Sequence, residues 1–251
     1  MDKKKLTLLI MLPIFTLTSL PTQAVTKKAP AKHQKKIVCR TKAQPKKVFV
    51  KTSCKLAVPK KKTPTNAPLK VNFTSLLLVN RTHTLPANYV PFNLVKVTVP
   101  ANKAGMQLNR TTHASLINLF AAAKKAGHQL LAISCFRDYA YQNNLYQASL
   151  KKFGQAHTNK YVAAPGKSEH QTGLAIDIGL QGNSLSVNFG QTAAGKWLKS
   201  NAPKFGFILR YPQGKERITG YNYEPWHFRF VKDAETAKAI IAAGTLEEYL
   251  A

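Results

Sequence analysis

From about residue 71 onward, apolar and polar positions fall into short punctuated runs that predict strands and helices mixed along the chain. Leu76 to Val79 is a compact apolar run and Leu94 to Val99 alternates, so each predicts a strand. Thr112 stands where it can cap a helix with Leu116, Leu119, Phe120 and Ala123 on one face, and Gly127 lies past its end. Leu130 to Ile133 reads as a buried strand, and Tyr139 to Phe153 as a second helix closed by Gly154. Leu174 to Ile178 predicts another strand, and Thr192 caps a short helix holding Trp197 and Leu198. Phe207 to Tyr211 and Trp226 to Val231 are further strands, and Asp233 caps a last helix that runs through Ile241 and ends at Gly244. There is no regular βαβ period and no glycine-rich phosphate loop. The expectation is an α+β domain with a small antiparallel sheet flanked by helices.

Composition divides the 251 residues into three parts: 1–24, 25–70 and 71–251. Lys3 to Lys5, the apolar stretch from Leu6 to Leu20, and the small-residue end Thr22-Gln23-Ala24 have the form of an export signal cleaved after Ala24. No Cys follows the apolar stretch closely, which argues against a lipid-anchored form. Residues 25–70 hold fourteen Lys and Arg40 with no Asp or Glu, a composition that cannot bury a core. This segment predicts a flexible basic arm, with room for at most a marginal hairpin around Ala43 to Lys46. The net charge of +28 therefore lies largely outside the folded part, where 20 basic residues meet 9 acidic ones. Expected partners of the arm are anionic wall polymers or a membrane surface. Export makes nucleic acid an unexpected partner and places the protein in the periplasmic or extracellular cell envelope. A monomer is expected.

The three cysteines, Cys39, Cys54 and Cys135, form no Cys-x-x-Cys pair, which excludes a thiolate zinc site and a thioredoxin-like motif. Cys39 and Cys54 are free to pair in an oxidising compartment or to remain thiols.

Two clusters carry candidate chemistry: Ser168-Glu169-His170-Gln171-Thr172-Gly173-Leu174-Ala175-Ile176-Asp177 and Glu224-Pro225-Trp226-His227. Together they offer two imidazoles and a carboxylate as ligands, plus a spare carboxylate. A catalytic zinc site has this composition, with three protein ligands and a fourth position open. Asp177 sits among Leu174, Ala175, Ile176 and Ile178, and a carboxylate in so apolar a run needs a strong partner. Pro225 holds Glu224 extended and interrupts any ladder, so a kink there turns Glu224 and His227 toward one site. His33, His83, His113, His128 and His157 lack such context.

These two motifs strongly resemble those of the VanY-like D-alanyl-D-alanine carboxypeptidases, zinc peptidases of peptidoglycan. Three further stretches extend the resemblance over about residues 76–232. They are Leu77-Leu78-Val79-Asn80-Arg81 with Leu85-Pro86 and Tyr89; Ser134-Cys135-Phe136-Arg137-Asp138-Tyr139 with Gln142 and Leu145-Tyr146; and Gly220-Tyr221. The resemblance implies that His170, Asp177 and His227 bind Zn2+, that Glu224 is the catalytic base, and that Arg137 steadies the substrate or the oxyanion. It also implies that Gln142 and Ser168 touch the substrate peptide. Cys135 and Asp138 depart from the family's usual Gly and Ser, and Asp138 is placed to pair with Arg137 and blunt its contact with a substrate carboxylate. The implied fold is the small antiparallel sheet with flanking helices, the zinc site at the sheet.

The expected function is hydrolysis of the C-terminal D-Ala bond of peptidoglycan stem peptides, with D,D- and L,D-specificity both open. A second reading is a catalytically weak peptidoglycan-binding module that keeps the metal site. Glu224 argues against it, because a pure binder needs no base. A third, a polyanion-binding protein, explains the arm but not the motifs.

Overall fold

The computed structural model describes residues 74–182 and 185–251. The expected export signal, the basic arm with Cys39 and Cys54, and His33 lie outside the described residues.

The centre of the fold is a four-stranded antiparallel sheet built from β3 (Leu131–Ser134), β4 (Ala175–Gly179), β5 (Phe207–Leu209) and β6 (His227–Phe230). Their order across the sheet is β3-β4-β6-β5. A separate two-stranded ladder joins β1 (Leu94–Lys96) to β2 (Gln107–Asn109). Among the described residues six helices accompany them: α1 (Arg110–Lys125), α2 (Tyr139–Tyr161), α3 (Ala193–Asn201), α4 (Glu216–Thr219), α5 (Ala234–Ala243) and α6 (Leu246–Leu250). The class is α+β, as the hydrophobic pattern predicts.

Strand alternation sorts the central side chains into two sets. Ile176 stands opposite Phe228, and together with Ile178 and Phe230 these side chains join Leu116, Leu119, Phe120 and Ala123 of α1 in one buried cluster. Each fully buried residue of this size contributes roughly 1.5–3 kcal/mol of transfer free energy. Asp177 stands opposite His227, and Ala175 opposite Arg229, on the other set of positions. A register shift between Ala132 and Ser134 brings Ser134 opposite Asp177 as well. Pairing β4 with β6 in this register is what joins the two sequence motifs, which lie about fifty residues apart in the chain.

Four local expectations change. Leu76 to Val79 forms no strand; this segment is tied down by the Arg229 guanidinium, which donates to the carbonyls of Ser75 (3.0 Å) and Leu77 (2.8 Å). The cap of α1 is Asn109, whose Oδ1 accepts from Thr111 N at 3.0 Å, so the helix starts before Thr112 and buries it. Gly154 does not close α2. It adopts φ 78° and kinks the helix, which resumes to Tyr161, and the two halves are tied by Ser149 Oγ and Thr158 Oγ1 at 2.8 Å. The chain after Gly244 forms α6, capped by Thr245. The caps at Thr192 and Asp233 stand where the sequence places them.

Candidate metal centre and cleft

His170 lies on a 3-10 turn, Glu169–Thr172, which leads into β4. Gly173 ends the turn at φ 69°, and an added Cβ there would stand 3.1 Å from both Asn109 N and Leu94 Cδ2. Left-handed backbone and this close approach leave glycine the residue that fits. The His170 imidazole is oriented by the Cys135 carbonyl, 2.6 Å from Nδ1. A carbonyl only accepts, so Nδ1 carries the proton and Nε2 presents a lone pair.

That lone pair faces Asp177. His170 Nε2 is 3.4 Å from Asp177 Oδ1, and His227 Nδ1 is 3.2 Å from the same oxygen. All three side chains are buried, and one donor atom from each lies within 4.8 Å of the others. The two rings stand nearly perpendicular at 87°, so their edges converge instead of stacking. Asp177 Oδ1 and His170 Nε2 have no hydrogen-bond partner among the described residues. Buried polar atoms are almost always satisfied, and two imidazoles with a carboxylate closing on one point have the donor chemistry of a divalent metal site. The residues fit zinc.

Electrostatics agree with that fit. Burial alone would raise the Asp177 carboxyl, but His170 and His227 beside it hold it well below the usual carboxylate range. Burial, with Arg137 nearby, pushes His170 down to about 4, keeping it a neutral ligand at physiological pH. Burial opposes charge on His227 too, yet its contacts with Asp177 and Glu169 outweigh that and push it up to about 9.

Glu224 enters through a turn closed by the His227 N–H donating to the Glu224 carbonyl at 3.1 Å. The turn contains Pro225 and brings Glu224 Oε2 to 3.7 Å from His227 Nδ1, the convergence expected of the kink. Burial pushes the Glu224 carboxyl up to about 8. A cleft of about 430 Å³ opens over the site, lined by Asp177, His227, Glu224, Trp226, Arg137 and Gln142 at its polar end. His157 and Tyr161, from the second half of α2, also line it, with Leu185 and Val187. His157, for which the sequence offers no context, therefore stands at the cleft, though apart from the metal donors.

Arg137 is anchored through its backbone N–H, which donates to the His170 carbonyl at 3.2 Å, while its side-chain Nε has no partner among the described residues. Asp138 does not pair with it. Its carboxylate caps α2, accepting from Tyr141 N at 2.7 Å, while Arg137 lines the cleft. Gln142 donates to the Ala163 carbonyl at 2.7 Å, and its Oε1 is unpaired. Ser168 is buried beside the 3-10 turn and is not among the residues lining the cleft.

Three residues of the site escape the sequence reading: Glu169, Arg210 and Arg229. Glu169 Oε1 accepts from Arg210 Nε (2.8 Å) and Arg229 Nη1 (2.7 Å), all three fully buried. The signal is present in the sequence. Arg210 and Arg229 interrupt the apolar runs Phe207-Ile208-Leu209 and Phe228 to Phe230, and the reasoning applied to Asp177 applies equally to them.

Comparison with known proteins gives the same picture. A family profile described as VanY, D-alanyl-D-alanine carboxypeptidase, matches residues 105–233. The chain is 42% identical over 181 residues to YodJ of Bacillus subtilis, covering 69% of this chain and 66% of that protein, just under two thirds of its length. The structure of the LdcB LD-carboxypeptidase, solved for the molecular basis of peptidoglycan recognition, aligns with TM-score 0.65 at 40% identity. The alignment covers 74% of this chain and 93% of that one. A mutant of the D,D-pentapeptidase VanY, in complex with Zn(II), aligns with TM-score 0.61 at 35% identity over 70% of this chain and 99% of that one. With the motifs, the fold and the converging donors in agreement, the chain belongs to the VanY family of D-alanyl-D-alanine carboxypeptidases.

Proposed function

We propose that this protein is a zinc-dependent carboxypeptidase that hydrolyses the C-terminal D-Ala bond of peptidoglycan stem peptides. The observation that carries this reading is Glu224, a buried carboxylate at the cleft, 3.7 Å from His227 yet outside the three-donor group. His170 through Nε2, Asp177 through Oδ1 and His227 through Nδ1 would hold the zinc. When bound, zinc supplies Lewis acidity, making water acidic near neutral pH and polarising a carbonyl.

The protein's own groups do the rest. Glu224 takes a proton from the attacking water, whose oxygen bonds to the scissile carbonyl carbon. Glu224 then returns the proton to the departing amine as the C–N bond breaks, releasing D-Ala. Burial favours a carboxyl that can hold that proton in between. Arg137 lines the cleft and stabilises the oxyanion or anchors the terminal carboxylate, tasks suited to its forked geometry.

Export to the cell envelope and tethering by residues 25–70 to anionic wall polymer or membrane belong to the same proposal and rest on the sequence. The test is purified protein with zinc, incubated with synthetic tetrapeptide and pentapeptide stems and read by mass. Loss of one D-Ala from the pentapeptide assigns D,D-activity, and loss from the tetrapeptide assigns L,D-activity. A zinc-loaded protein that binds both peptides but cleaves neither is a binding module, and the proposal is then wrong.

A further inference from the structure

Glu169 uses its two carboxylate oxygens differently. Oε1 receives both guanidiniums, from Arg210 and Arg229, while Oε2 has no hydrogen-bond partner among the described residues. The atom that Oε2 faces is His227 Nε2 at 3.6 Å, and that nitrogen is also buried without a partner. Two orphaned groups, one an acceptor and the other able to donate, thus point at each other across a gap a few tenths of an ångström longer than a hydrogen bond. On the far side of the imidazole, Nδ1 faces Asp177 Oδ1 at 3.2 Å.

The carboxylate is rigidly held. Arg210 spends its remaining donors on Glu247 of α6, with Nη1 to Oε2 at 2.8 Å and Nη2 to Oε1 at 2.6 Å. Glu247 also accepts from Asn80 Nδ2 at 3.2 Å, and Arg229 is fixed by the Ser75 and Leu77 carbonyls. The clamp therefore draws on the segment before β1 and on the C-terminal helix, both outside residues 105–233.

We propose that Glu169 is a positioning residue for His227: its free oxygen holds the proton on Nε2 and so turns the Nδ1 lone pair toward the metal position. A carboxylate flanked by two guanidiniums is ionised and can only accept, so the facing ring nitrogen must carry hydrogen. Metal-bound histidines commonly make such an outer hydrogen bond, and losing it costs about 10–100-fold in metal affinity. His170 is held in the complementary way, by the Cys135 carbonyl on Nδ1. The bland alternative is that Glu169 only neutralises two buried arginines.

This inference rests on zinc binding at the His170–Asp177–His227 group, and the experiment separates the two. Zinc-loaded wild type is studied by nitrogen-15 NMR of its histidine rings. The expected result is His227 with hydrogen on Nε2, in slow exchange with water, and zinc on Nδ1. Wild type that takes up no zinc overturns the functional reading together with this one. Zinc uptake with Nε2 bare or exchanging as fast as an exposed imidazole overturns this one alone. In Glu169→Gln, the zinc dissociation constant measured by competition with a chromophoric chelator should rise about 10–100-fold. An unchanged constant in folded variant protein overturns the proposal. If the two arginines left behind prevent folding, the wild-type ring assignment decides it.

Discussion

Asp177 and Glu224 are both buried carboxylates, and their surroundings divide the labour between them. Asp177 lies between two imidazoles that hold its carboxyl low, whereas Glu224 stands at the cleft outside the three-donor group and burial raises its carboxyl. Two substitutions separate the roles. His170→Ala removes one of three donors, so metal analysis should show zinc near one per chain in wild type and its loss in the variant. Equal zinc in both would remove His170 from the ligand set. Glu224→Gln preserves shape and all three donors, so zinc content should hold while turnover of stem peptide falls by about 10²–10⁴-fold or more. Near-normal turnover would assign the base elsewhere. The three converging donors were legible from the sequence because the type and spacing of residues in each motif are unusual. Glu169 was less legible, since its importance comes from Arg210, forty-one positions later, and Arg229, sixty positions later.

Helix termini were legible to the extent that their chemistry is local. Thr192 and Asp233 cap the helices that directly follow, because a side-chain oxygen two or three residues ahead of an orphan N–H has few competing uses. At α1 the sequence points to Thr112, but the β1–β2 pairing ends at Asn109 and the helix follows directly, so Asn109 is the cap. Gly154 was ambiguous in the same sense: a glycine at positive φ either ends a helix or kinks it, and the Ser149–Thr158 contact settles on a kink. Asp233 has a pH consequence. Its carboxyl lies below the ordinary range, chiefly because the Thr236 N–H donates to it, so its folded value is below the unfolded ~3.9. The charged cap therefore contributes stability above the unfolded value and loses it as pH falls through the folded one. Asn caps as well but does not titrate. Denaturation of wild type and Asp233→Asn across pH should show a wild-type advantage near neutrality that shrinks below about pH 4. A constant difference across that range would show that the charge contributes nothing.

Across the whole molecule, positive charge is concentrated in residues 25–70, with fifteen basic residues and no acidic one. The proposed tethering of this segment to polyanions is electrostatic, and screening over about 8 Å at physiological salt makes such binding salt-sensitive. Protein beginning near Val71 should fold and cleave small soluble stem peptides about as well as the longer form. It should bind isolated anionic wall or anionic vesicles less well, with the difference vanishing at high salt. Failure to fold, or loss of activity on small peptides, would make the basic segment part of the catalytic domain.

The sequence by itself determined the α+β class and most element positions, and it singled out the three residues proposed as metal donors and the spare carboxylate, because each of these is written in a short window of periodicity or motif. Tertiary structure alone decided the sheet order β3-β4-β6-β5, the register that sets Asp177 opposite His227, the role of Asp138 as a cap, and the Glu169–Arg210–Arg229 cluster. The physical reason is range. Caps, turns and alternation are satisfied by neighbours a few residues away, whereas strand partners and buried ion pairs are chosen by which distant groups remain unsatisfied once the core has closed.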